Sequence, residues 1–245
     1  MNPIINALPF VSVVVVFVFA ALVIRRYAWR HGTHLLVWGI GLIMYGIGSA
    51  CESYYYLFGW SSLVFRIWYL FGAILVAAWL GQGTIYLLAR KRWATPTMII
   101  LLLASLFAAY RVAGAQLDPA MAPGELTGRV ITSSGVRLLT PFFNTYGTVA
   151  LVGGAVYSAW IFWRKRILPH RVVGNLFILL GTLAPALAGL FSRLGLRGYL
   201  YVGELLGAIL LFIGFMRATT PMPRPAGRAR SARSAAPPGS LPPAA

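Results

Sequence analysis

Seven apolar runs divide this chain, each close to or beyond the ~20 residues that a helix needs to cross bilayer hydrocarbon. They are Leu8–Ile24, Leu35–Phe58, Ser62–Ala89, Ala94–Tyr110, Val136–Trp163, Val172–Ser192 and Gly198–Phe215. Lipid offers no water to an exposed N–H or C=O, so runs of this length must be helices that close their own hydrogen bonds. The expected fold class is all-α: a polytopic membrane protein with seven transmembrane helices over residues 1–217. The third and fifth runs are longer than a perpendicular crossing needs, which implies tilt. A hydrophobic content of 59% and a mean hydropathy of +0.78 agree with a chain outside the soluble class.

A formal net charge of +17 would suggest nucleic acid in a soluble protein. Here the basic residues sit at the ends of apolar runs, so the expected partner is the lipid bilayer and not nucleic acid. Alternate connections are strongly unequal. Arg25, Arg26 and Arg30, then Arg90, Lys91 and Arg92, then Arg164, Lys165, Arg166 and Arg171 fall on one side, with five more arginines after the last run. The other side has Arg111, Arg129, Arg137, Arg193 and Arg197, together with the acids Asp118 and Glu125. By the positive-inside rule the N-terminus is outside and the C-terminus cytoplasmic, in a plasma membrane of the bacterial inner-membrane kind. The first run has no preceding positive charge and no convincing cleavage site, so it reads as a retained span. Residues 114–135 form the one long external loop, either a lid or a plain connector. Residues 218–245, rich in Pro, Ala, Ser and Arg, read as a disordered cytoplasmic tail drawn to anionic lipids.

Of the four acids in the chain, Glu52 and Glu204 lie inside apolar runs. A carboxyl group at that depth is costly and calls for a partner or a function. Arg66 is the one basic residue set well inside a run, Arg137 being only the second residue of Val136–Trp163. At ~1.5 Å of rise per residue, Glu52, Arg66 and Glu204 all lie roughly 8–10 Å inside the same face of the membrane. Tyr45, Ser49, Glu52 and Tyr56 share one helical stripe, Arg66 shares a face with Tyr69, and Tyr201 shares one with Glu204. Asn144 enters a similar layer after Pro141. Two readings follow. One is an outward-facing ligand or ion site built from Glu52, Arg66 and Glu204 and lined by Tyr56, Tyr69, Tyr201 and Asn144. The other is an internal Glu52–Arg66 clasp satisfied by tyrosine hydroxyls. Two carboxyls against one arginine leave a surplus negative charge, to be met by a proton, a bound cation or a rim arginine such as Arg111, Arg193 or Arg197.

Other chemistries find little support. His31, His34 and His170 lie at the basic boundary with no acid or cysteine to complete a metal site. Cys51 has no partner cysteine and reads as a packing residue. No nucleophile elbow, phosphate loop or zinc signature is present, so neither an enzyme nor a cofactor is expected. The glycines Gly39, Gly41, Gly46, Gly48, Gly153 and Gly154 suit close helix approach. The tetrapeptide from Gly72 to Leu75 recurs from Gly207 to Leu210, a faint echo between helices 1–3 and 5–7.

Several seven-helix families compare in topology. Light-driven rhodopsins need a lysine in the last helix, and Gly198–Phe215 has none. Small sugar transporters of the three-plus-one-plus-three type are similar in length, but their Pro-Gln signature is missing. The segment Glu52–Leu88, with Arg66-Ile-Trp-Tyr-Leu-Phe-Gly72 at its centre, resembles uncharacterised bacterial seven-helix proteins. The bundle is also similar to the sensor regions that precede bacterial histidine kinases. None of these resemblances implies an activity. The function expected from the residues is recognition or transport of a small solute, or of a proton, through the polar site. The alternative is a receptor-like or scaffolding subunit acting through a partner membrane or signalling protein.

Overall fold

The computed structural model describes residues 3–121, 126–164, 169–193 and 199–219, and seven of its helices are long and apolar enough to span a membrane. They are α1 (Pro3–Arg30), α2 (Thr33–Phe58), α3 (Ser62–Leu88), α4 (Lys91–Ala113), α5 (Val136–Arg164), α6 (Pro169–Arg193) and α7 (Tyr199–Thr219). No β-strand occurs among the described residues; one antiparallel bridge, Leu117 with Ile131, ties the loop between α4 and α5. The tail beyond Thr219 lies outside the described residues, as do Glu125 and the side chains of His170, Arg193 and Arg197.

Six of the helices close a ring in the order α1, α2, α3, α5, α6, α7 and back to α1, while α4 stands outside it against α3. Apolar attraction between helices is weak in lipid, so association rests on how closely they can pack. Glycines provide that approach. A Cβ added at Gly147 of α5 would stand 2.1 Å from the Ala77 carbonyl of α3, and one at Gly48 of α2 would stand 2.9 Å from Gly72 Cα. The most extensive contact, α6 with α7, uses the same device: Gly207 faces the Gly181 carbonyl and Pro185, and Gly214 faces the Gly174 carbonyl.

The third span is not uniform. Its centre, Trp68–Leu75, is a π-helix, a widening of the helical turn often found at functional positions. Opening the backbone ladder leaves a carbonyl for a side chain to satisfy, and Asn144 Nδ2 donates to Ala73 O at 3.1 Å.

The loop between α4 and α5 is folded down onto the bundle. Leu126, Val130 and Ile131 are buried in the same cluster as Phe65, Trp68 and Tyr69 of α3.

At the end of the bundle that carries the basic loops, Gln82 is 0% exposed. Its amide nitrogen donates to Ala94 O at 2.9 Å and to Thr97 Oγ1 at 3.1 Å, and its oxygen accepts from Tyr146. Full satisfaction is what lets an amide sit there.

Two glycines of α5 make a matched test of these crossings. Gly147→Leu drives a side chain into the α3 backbone, and about 3 kcal/mol of destabilisation is expected in a denaturant titration of the purified protein. Gly153, with nothing within 4 Å of a built Cβ, should accept leucine with no loss.

Candidate functional site

Glu52 is 2% exposed and its Oε1 accepts a hydrogen bond from the indole Nε1 of Trp68 at 2.9 Å. Trp68 opens the π-helical segment of α3. Glu204, half-buried on α7, comes across the ring to bring its carboxyl within hydrogen-bonding reach of Glu52's. Tyr45, two turns before Glu52 on α2, ties α2 to α7, its hydroxyl donating to the Glu204 backbone carbonyl at 2.6 Å. Ser49 lies between them on the same face of α2. It is 2% exposed, and its Oγ has no hydrogen-bond partner among the described residues.

Helical register extends this into layers. Val16 of α1, Tyr45 of α2 and Ala208 of α7 form one buried cluster. One turn from each toward the loop end are Ser12, Ser49 and Glu204, three polar residues on three helices. Ser12 and Ser49 are both buried. About one turn the other way are Phe19, Leu42 and Leu211, which line an apolar cavity of about 40 Å³ together with Leu80, Leu151 and Ile178. The cavity continues between Val23, Trp38 and Phe215 toward the basic end. Thus a polar layer, the Val16–Tyr45–Ala208 cluster and an apolar cavity follow one another along α1, α2 and α7.

Arg66 does not join this site. Its guanidinium turns away from Glu52 and donates to the carbonyls of Val112 and, at 2.9 Å, Ala115. These are among the carbonyls that a helix C-terminus leaves open, and a cation is favoured there by the helix dipole. The expected Glu52–Arg66 clasp is therefore not formed: the end of α4 offers Arg66 acceptors on the side away from α2. Arg26 does the same at the basic end, donating to Thr219 O of α7 at 2.9 Å. Arg111 is also engaged elsewhere, with Ser134 O at 2.9 Å.

The proposed lining separates into parts. Tyr201 is buried on α7 one turn from Glu204, as its spacing implied. Tyr56 is 51% exposed near the end of α2, with Phe10 packed edge-on against it, so it does not line the carboxyl pair. Tyr69 is buried, but its hydroxyl accepts from Thr140 Oγ1 at 2.9 Å and its ring lies against Gly128 of the loop. Asn144 serves the π-helical backbone. Trp68, Ser12 and Gln82 were not singled out by the sequence. An indole in mid-span needs an acceptor, and an amide or hydroxyl in an apolar run needs satisfaction; those were the available signals.

Among the described residues no group of three or more metal-binding side chains occurs. Two facing carboxylates repel strongly where water is excluded, so the arrangement favours a shared proton or a cation between them. No family model matches this chain, and no curated protein or solved structure matches it either.

The two acidic-layer residues and Arg66 should separate cleanly under mutation. Arg66→Met removes charge-assisted bonds to a helix end and is expected to cost about 2 kcal/mol of stability while leaving Trp68 fluorescence unchanged. Glu52→Gln should shift that fluorescence, read as the difference from Trp68→Phe, because it alters the indole's own acceptor.

Proposed function

We propose that this chain is a multi-pass plasma-membrane protein of bacterial type that recognises or moves a small solute, with the Glu52–Glu204 pair as its proton-binding element. The N-terminus is outside and the C-terminus cytoplasmic on this reading, supported by the excess of basic residues on alternate loops. The polar layer then lies in the outer half of the membrane and the apolar cavity in the inner half.

One observation carries the reading. Two carboxyl groups, from the two helices that flank α1, meet each other and not an arginine. A structural clasp would neutralise each acid with a fixed cation, whereas a pair of acids takes up and gives back a mobile one. The joint between α2 and α7 is therefore sensitive to its own charge. A shared proton holds the two helices together, and its loss drives them apart.

Infrared difference spectroscopy across a pH step tests the proton. Wild type should give a protonated-carboxyl C=O band that disappears in both Glu52→Gln and Glu204→Gln; a band unchanged in both variants would overturn the reading. Reconstituted vesicles loaded with a pH-sensitive dye test the coupling. A panel of small solutes should include one that moves protons in wild type and not in Glu204→Gln.

A further inference from the structure

We propose that the carboxyl layer and the apolar cavity are two ends of one binding site, whose ligand class is a monovalent ammonium carrying an apolar chain. The inference rests on the reading of Glu52 and Glu204 as a cation-accepting pair, and it adds what kind of cation.

The polar end has more than acids. Ser49 Oγ is buried without a hydrogen-bond partner among the described residues, on the stripe that joins Tyr45 to Glu52. An ammonium group has three donors and no acceptor. A carboxyl oxygen on α2, another on α7 and the Ser49 hydroxyl are acceptors from two facing helices. A bare metal ion suits the layer less well, because among the described residues no group of three or more metal-binding side chains occurs. Trp68 and Tyr45 also place aromatic rings beside the layer, as cationic nitrogen ligands prefer.

The other end is dry. The cavity of about 40 Å³ is lined by Phe19, Leu42, Leu80, Leu151, Ile178 and Leu211 among others. It exceeds the volume of a single water, yet presents none of the two to four polar partners that a water needs. Leu211 lies seven residues beyond Glu204 on the same face of α7, about 10 Å along the helix. Leu42 lies seven residues before Ser49 on α2. Both helices therefore connect the acceptors to the cavity in a straight line.

What separates the two ends is the layer of Val16, Tyr45 and Ala208. Val15 and Val76 pack against it, and Tyr45 is its one aromatic member. Rotation of that ring joins cation site and cavity into a single amphipathic slot. A free ammonium salt fills half of the slot, and a neutral or anionic chain of the same length meets two acids at its head.

Binding to the full chain in lipid nanodiscs distinguishes these cases, with octylammonium, methylammonium, octanoate and octanol as probes. Wild type should bind octylammonium roughly tenfold more tightly than methylammonium, the gain expected from burying about two methylenes. Glu204→Gln should lose both amines. Leu211→Phe and Leu151→Phe fill the cavity from different helices, so one remains informative if the other fails to fold; each should abolish the preference for the chain and keep methylammonium binding. Octanol or octanoate binding as tightly as octylammonium would overturn the proposal, as would a chain preference that survives both cavity-filling variants. A protonated-carboxyl band with no amine binding would sink this inference alone; loss of the band would sink the proton reading beneath it.

Discussion

Where Gly147 crosses Ala77 and Ala78, and where Gly48 crosses Gly72, main chain touches main chain, and the placement of every other group in the ring follows from those contacts. Lipid competes with leucine on equal terms, so a ring of helices must be held by packing too close for lipid to enter. Glycine permits this in α2, α3, α5, α6 and α7. The cost is that large side chains cannot occupy the crossings and must fill the space between them. That space is the interior of the ring, which is why polar and apolar residues could be sorted there into layers.

The layers have opposite electrostatic requirements. Glu52 and Glu204 need a proton, a cation or donors, and Trp68 supplies one donor from the π-helical turn of α3. A regular α-helix through Trp68–Leu75 would carry fewer residues past the same length, turning the indole and the Ala73 carbonyl to other directions. The widened turn therefore serves two neighbours at once, α2 through Trp68 and α5 through Asn144. Toward the basic end the cavity is lined by apolar side chains and by Trp38, which commits its indole N–H to Leu80 O. The contrast between a charged layer and a dry one within two helical turns is maintained by the Tyr45 ring.

Hydropathy made the seven spans legible because the bilayer fixes their length, and Glu52 and Glu204 stood out because acids are so rare in those runs. That Glu52 and Glu204 share a level was legible too, since the helical rise is constant. Azimuth was not. The spacing of Arg66 placed it in the right layer, but nothing in the sequence told that α4 ends beside it with open carbonyls. Tyr56 kept the stripe of Glu52 and lost the burial, since the ring gives it little cover near the end of α2. Asn144 was read as a lining residue when its partner was a π-helical carbonyl, a backbone irregularity that composition does not announce. Ser12 and Gln82 were passed over because one polar residue in an apolar run is common, and only the facing helix shows whether it is satisfied.

The tetrapeptide shared by Gly72–Leu75 and Gly207–Leu210 gains a physical meaning from the ring. Gly72 packs on Gly48 of the helix before it, and Gly207 packs on Gly181 of the helix before it. One crossing device is used twice, at corresponding points of α2–α3 and α6–α7. Three residues before each glycine, the two halves differ. Tyr69 stands there in the first and is held by Thr140; Glu204 stands there in the second and meets Glu52. The packing is matched while the chemistry is not. A contact between two carboxyl groups therefore joins α7 to α2, and at the equivalent position of α3 a neutral hydrogen bond joins Tyr69 to Thr140 of α5. Movement driven by that charge would displace α7 relative to α2 and leave the α3–α5 seam closed, so the two halves of the bundle are built for unequal roles.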